Sequence, residues 1–144
     1  MGKLTVIVAL HDADSVDGLV KLACQISIGS DAELLALHVV EVTPGLPLDA
    51  DAEVLDEPGK QILSRAREVA SEACSRRMAV QLVRARHAGE AIVGEARDRR
   101  AELLVMGYHG RHGLGEILLG STVHYVSHRA PCRVIVQIPP LQAR

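Results

Sequence analysis

The stretch from Gly107 to Thr122 concentrates the groups that could do chemistry. It holds Gly107, Gly110, Gly113, Gly115 and Gly120, imidazoles at His109 and His112, a guanidinium at Arg111, and hydroxyls at Ser121 and Thr122. Glycine lets a backbone amide come close to a ligand, and the N–H groups at a helix start point at the same place. Phosphate oxygens suit such a surface, and His109 and Arg111 would add charge from the loop. The same glycines would also make a tight turn from strand to helix. Five glycines in the fourteen residues 107–120 are entropically costly for a plain connection, which favours the phosphate reading.

Other chemistries fail on their own requirements. A Walker loop needs Gly-Lys-Ser/Thr, whereas Ser121 follows Leu119 and Gly120 with no Lys nearby. A dinucleotide fingerprint needs glycines after the first strand, where His11, Asp12, Ala13, Asp14 and Ser15 stand instead. No G-x-S-x-G surrounds a serine and no cysteine has the setting of a catalytic thiolate, so a dedicated enzyme is not expected. His109 with His112, and His124 with His128 on one helix face, lack an evident third ligand, so no metal site is expected.

The elements that must position these residues alternate. Leu4–Leu10 is an apolar β-branched run suited to a strand buried on both faces. Val16, Leu19, Val20, Ala23 and Ile26 follow helical spacing behind Asp14 and Ser15, which read as the cap, and Gly29 ends that helix. Leu34–Val40 is a second strand. Residues 41–57, with Pro44, Gly45 and Pro47, read as a flexible loop. A long helix is expected from Pro58 to about Met78, a short strand over Ala79–Val83, and a helix opening at Gly89. Leu103–Met106 reads as the fourth strand, Thr122–His128 as a helix, and Arg133–Gln137 as the fifth strand. The βαβαβαβαβ order implies an α/β fold with a parallel sheet covered by helices on both faces. Ligands of such sheets bind beyond the carboxyl ends of the strands, here at His11–Ser15 and Gly107–Ser121.

Composition bounds the rest. The chain of 144 residues is 48% hydrophobic without Trp or Phe, so one domain with an aliphatic core is expected over 1–144, with tails at 1–3 and 139–144. A net charge of −2 disfavours nucleic acid as a partner. Arg65, Arg67, Arg76, Arg77, Arg97, Arg99 and Arg100 read as solvated helix faces. Cys24, Cys74 and Cys132 are far apart and form no C-x-x-C, so buried small residues are expected rather than disulfides. No apolar run approaches the roughly 20 residues that span a bilayer, so a cytoplasmic protein without membrane contact is expected. Val134, Ile135 and Val136 read as an apolar edge strand that invites pairing into a homodimer.

Gly107-x-x-Gly110, nine residues, then Gly120 and Ser121 resembles the G-x-x-G-x9-G-S/T signature of nucleotide-binding universal stress proteins. The resemblance extends to Val105 and Met106 before the loop, Ile117–Leu119 within it, Ala130–Val136 after it, and Leu37, His38 and Val39. It implies a Rossmann-like, adenine nucleotide alpha hydrolase-like fold with strand order 3-2-1-4-5. It also implies ATP, or ADP or AMP, between the first and fourth strands, with Mg or Mn carried by the phosphates. Asp12 matches the position that holds the ribose, and independently it lies just past the first strand. Leu10 lies beside it on the adenine side. By the same resemblance Val39 meets adenine, Met106 and Gly107 flank base and ribose, and Gly110, Gly120, Ser121 and Thr122 hold phosphates. A regulatory dimer in a stress response is the implied role. The alternatives are a nucleotide-free interaction module of the same fold and a slow ATP-hydrolysing enzyme.

Overall fold

The computed structural model describes residues 4–49, 52–108, 112–113, 116–117 and 120–139. Thr5–Ala9 forms β1, Val16–Ile26 α1, Glu33–Glu41 β2, Ala52–Cys74 α2 and Met78–Ala85 β3. Ala88–Asp98 forms α3, Leu103–Gly107 β4, Ser121–Arg129 α4 and Arg133–Gln137 β7. Between β4 and α4, β5 (His112–Gly113) and β6 (Glu116–Ile117) pair antiparallel, a short ladder inside the stretch read from sequence as a glycine-rich phosphate loop. The five long strands lie parallel in the order β3-β2-β1-β4-β7, which is the expected 3-2-1-4-5 once the ladder is set aside.

Strand periodicity divides the core in two. Val6, Val8, Leu34 and Ala36 point to the layer built by α1 and α2, with Leu19, Val20, Ile62, Leu63, Ala66 and Val69. Ile7, Ala9, Leu35 and Leu37 point to the layer of α3 and α4, with Ile92, Val93, Ala96, Val123 and Val126. β1 is central and buried on both faces, which is why its residues show no polar alternation. Each such fully buried aliphatic side chain contributes about 1.5–3 kcal/mol, so the sheet's centre is its most strongly held part.

Four local expectations are corrected. Helix α2 begins at Ala52 rather than Pro58, carries Pro58 inside it, and ends at Cys74. The turn before the proline is tied to β3 by Asp56, whose carboxylate takes Arg84 Nη2 at 2.9 Å and Nε at 3.1 Å. The preceding segment is also held by arginines of this region. Arg86 Nη1 donates to the carbonyls of Thr43 and Leu46 at 2.6 Å each, and Arg84 Nη1 donates to that of Leu48 at 3.1 Å.

Cys24 and Cys74, expected as separate thiols, are joined in a disulfide between α1 and α2, with Cα atoms 5.9 Å apart. Packing two helices on one face of the sheet brought together residues fifty apart in sequence, which spacing could not reveal. Arg76, expected on a solvated face, donates to the carbonyls of Ser27, Ser30 and Ala32 and so closes the connection from α1 to β2. Arg65 likewise bridges helices, with Nη2 2.8 Å from Asp17 Oδ2. Finally, the turn entering α1 is closed by Asp12 rather than Asp14. Its Oδ1 accepts the Ser15 N–H at 2.9 Å, and Ser15 at the N-cap makes no side-chain cap bond.

Candidate functional site

The carboxyl ends of β1, β2 and β4 and the first turns of α3 and α4 surround a cavity of about 210 Å³. Leu10, Val39 and Met106 line it from the strands, and Gly120, Ser121 and Thr122 from the start of α4. Six residues singled out from sequence therefore meet at one place. Met106 gets there by register: it stands beside Ala9 of β1 and Val136 of β7, buried in the middle of the sheet. Val39 follows Leu37 by two on β2, so both face the α3 side.

The walls also include His11, the first residue of the His11–Ser15 loop expected to meet a ligand, and Ala9, Leu37, Ala88, Ile92 and Val123, which sequence reasoning did not assign to a site. Ile92 stands with Val93 and Ala96 at apolar helical spacing after Gly89, but nothing in that spacing says that α3 closes a cavity rather than a core. The start of α3 is capped from β2, where Glu41 Oε2 accepts the Ala88 N–H at 3.2 Å. That carboxylate satisfies one of the amides a helix start leaves without an intrahelical acceptor.

Helix α4 is different. Its N-cap is Gly120, with φ −67° and ψ 163°, and no acidic residue stands in its first turn. Those angles are open to any residue, so glycine is not required there by backbone conformation. What glycine leaves at that point is room against the first-turn amides, which carry the positive end of the helix dipole.

Asp12 and Gly107 do not line this cavity. They border a neighbouring one of about 360 Å³, together with Asp14, Ser15, Gly18, Tyr108 and Gln137. Gly107 is packed closely on α1, where an added Cβ would stand 3.2 Å from Leu19 Cδ1. The Tyr108 N–H donates to the Gln137 carbonyl at 3.1 Å, which prolongs the pairing of β4 with β7. His109, Gly110 and Arg111 lie outside the described residues. Among the described residues no group of three or more His, Cys, Asp and Glu side chains could hold a metal ion. His124 and His128 do come together, ring centroids 4.4 Å apart on α4.

A parallel 3-2-1-4-5 sheet with a crevice at the carboxyl ends of β1 and β4, bordered by a glycine-led helix start, defines a doubly wound α/β fold with a cavity where the strand order reverses. The sequence pattern of the Universal stress protein family matches residues 4–137. Universal stress protein MJ0531 of Methanocaldococcus jannaschii is 36% identical over 126 residues, covering 83% of this chain and 73% of that protein. Universal stress protein A homolog 2 of Coxiella burnetii is 34% identical over 141 residues, 92% of each. The crystal structure of a universal stress protein in complex with cAMP superposes with a TM-score of 0.71 at 26% identity, covering 97% of this chain and 100% of that one. The chain belongs to the universal stress protein family.

Proposed function

We propose that this chain binds an adenine nucleotide, ATP foremost, with ADP and AMP as related ligands, and acts as a regulatory homodimer in a cytoplasmic stress response. The observation that carries the reading is the meeting of Leu10, Val39 and Met106 with Gly120–Thr122 around one cavity. Aliphatic walls suit the faces of a purine, and the first turn of α4 suits phosphate oxygens. At about 210 Å³ the cavity is smaller than the ~300–1,000 Å³ of pockets that enclose a drug-sized ligand. It therefore takes the base, while ribose and phosphates run out past Asp12 and Gly120. Mg or Mn would arrive on the phosphates, to which they add charge neutralisation. The cAMP held by a relative supports an adenine nucleotide without singling out ATP.

Saturable ligand binding tests this. At a ligand concentration 100 times the dissociation constant, stabilisation should reach about 2.7 kcal/mol, a clear rise in melting temperature. The absence of any rise with ATP, ADP, AMP or cAMP, with and without magnesium, would sink the reading. The dimer is assigned to β7, an edge strand whose Val134, Ile135 and Val136 are only half-buried within the chain. Sedimentation of Ile135→Lys as a monomer, against a wild-type dimer, is the outcome expected.

A further inference from the structure

Val39 and Leu37 face the cavity, so His38 between them faces the opposite side of the sheet, toward α2. There it is buried, with 7% of its surface exposed. Its Nδ1 stands 2.8 Å from the carbonyl oxygen of Leu10. A carbonyl can only accept, so Nδ1 carries the hydrogen and donates it. The other side of the ring is pressed by α2: a Cβ added at Gly59 would come within 2.5 Å of Cδ2 and 3.0 Å of Nε2. Only glycine at that place in the helix leaves the imidazole its seat.

Leu10 is thus held at both polar groups. Its N–H donates to the Leu37 carbonyl at 2.8 Å, and its C=O takes the imidazole hydrogen. Because the peptide unit is planar, fixing the Leu10 carbonyl also fixes the direction of the His11 amide and the exit of the chain from β1. Leu10 and His11 both line the cavity. We propose that His38 is a positioning residue of the nucleotide site, wedged between Gly59 of α2 and the Leu10 carbonyl so that the Leu10–His11 wall keeps its shape. This rests on the adenine-nucleotide reading of the cavity and adds to it a determinant on the far face of the sheet.

The test compares the full-length wild type with His38→Leu, His38→Asn and Gly59→Ala, titrated calorimetrically with AMP and with adenosine, with melting temperature recorded without ligand. His38→Leu should weaken both ligands alike by about tenfold, the worth of roughly one buried hydrogen bond. His38→Asn places an amide donor where Nδ1 stood and should stay within about threefold of wild type. Gly59→Ala should weaken both ligands as His38→Leu does, although alanine is the better helix former and should not lower helicity. Unchanged AMP affinity in folded His38→Leu overturns the assignment, as does unchanged affinity in Gly59→Ala should His38→Leu fail to fold. A loss that His38→Asn does not restore, in parallel with a fall in melting temperature, also overturns it, since that is what a purely structural histidine would show. Failure of the wild type to bind any adenine nucleotide would instead strike the functional reading itself.

Discussion

Asp12 Oδ1 accepts the backbone N–H of Ser15 at 2.9 Å, and the Ser15 hydroxyl donates back to the Asp12 carbonyl at 3.3 Å. The carboxylate expected at a ribose therefore also closes the turn that opens α1. A carboxylate has about four acceptor sites, so the two tasks are compatible. Asp12→Ala should lower stability without ligand by about 1 kcal/mol, as loss of a helix-entry acceptor does, and should weaken adenosine and ATP to a similar degree. Asp12→Asn keeps an acceptor in the turn and should recover the stability. Urea unfolding of the three proteins, alongside nucleoside titration, separates the effects; unaltered stability in Asp12→Ala would remove the capping role.

Gly120 offers a cleaner separation of binding from folding. Its φ of −67° and ψ of 163° are accessible to a branched residue, so Gly120→Val should leave unfolding free energy within about 0.5 kcal/mol of wild type. The added side chain would stand against the first-turn amides of α4 and keep phosphate oxygens away. ATP affinity should then fall by more than tenfold while adenosine binds nearly as before, because each charge-assisted bond lost is worth roughly 1.5–3 kcal/mol. Equal ATP affinity in the two proteins would defeat the phosphate assignment to this helix.

What the sequence made legible follows from the range over which each signal acts. The β1, β2, β4 and β7 runs and the helical spacing of Val16–Ile26 are local patterns, and they led directly to the parallel sheet. The six residues that meet at the cavity were found by a motif and by position at strand ends. The features that were not legible depend on pairing across the fold. Cys24 with Cys74, Arg76 with the Ser27, Ser30 and Ala32 carbonyls, and Asp56 with Arg84 each join residues dozens of positions apart. The early start of α2 belongs with them. Pro58 signals a helix start, whereas the helix before it is tied to β3 by the long-range pair of Asp56 with Arg84. Asp14 and Asp12 competed for one capping task, and two residues of chain separated the right answer from the wrong one.

The Asp56–Arg84 pair is bidentate and only slightly exposed, 12% and 18% by side chain, whereas Asp17 and Arg65 are each 44% exposed. Both carboxyls are held below the usual carboxylate value, chiefly by the hydrogen bond from their arginine. A carboxyl whose folded pKa is depressed contributes stability above its unfolded pKa and loses it as pH falls through the folded one. Stability should therefore decline from about pH 5 downward. Asp56→Asn should cost about 3 kcal/mol at pH 7, as breaking a buried pair does, and flatten the acid limb. Asp17→Asn should cost less than about 1 kcal/mol, since its pair is solvent-screened. Urea midpoints from pH 3 to pH 7 decide this; equal costs for the two variants would contradict the ranking by burial.

The Cys24–Cys74 bond closes a loop with fifty residues of sequence separation and ties α1 to α2 on one face of the sheet. Loop-closure entropy for such a loop gives up to about 4 kcal/mol, or roughly 10 °C in melting temperature for a chain of this size. Reduction with a dithiol should therefore lower the melting temperature, and Cys74→Ala should match the reduced wild type and no longer respond to reductant. Cys132 serves as an internal control because it is not part of a disulfide; burial, followed by the nearby Glu102 charge, raises its thiol pKa. A reducing cytoplasm would keep the pair open, so the bond bears on the cytoplasmic reading as well. Acid quenching of cells, then alkylation in denaturant so that the buried Cys24 is reachable, followed by mass spectrometry, counts which of the three thiols were free. Cys24 and Cys74 both alkylated after the quench is the outcome that a cytoplasmic location requires. Both blocked at the quench would point to an oxidising compartment. An identical melting temperature with and without reductant would show that the bond contributes nothing to holding α1 on α2.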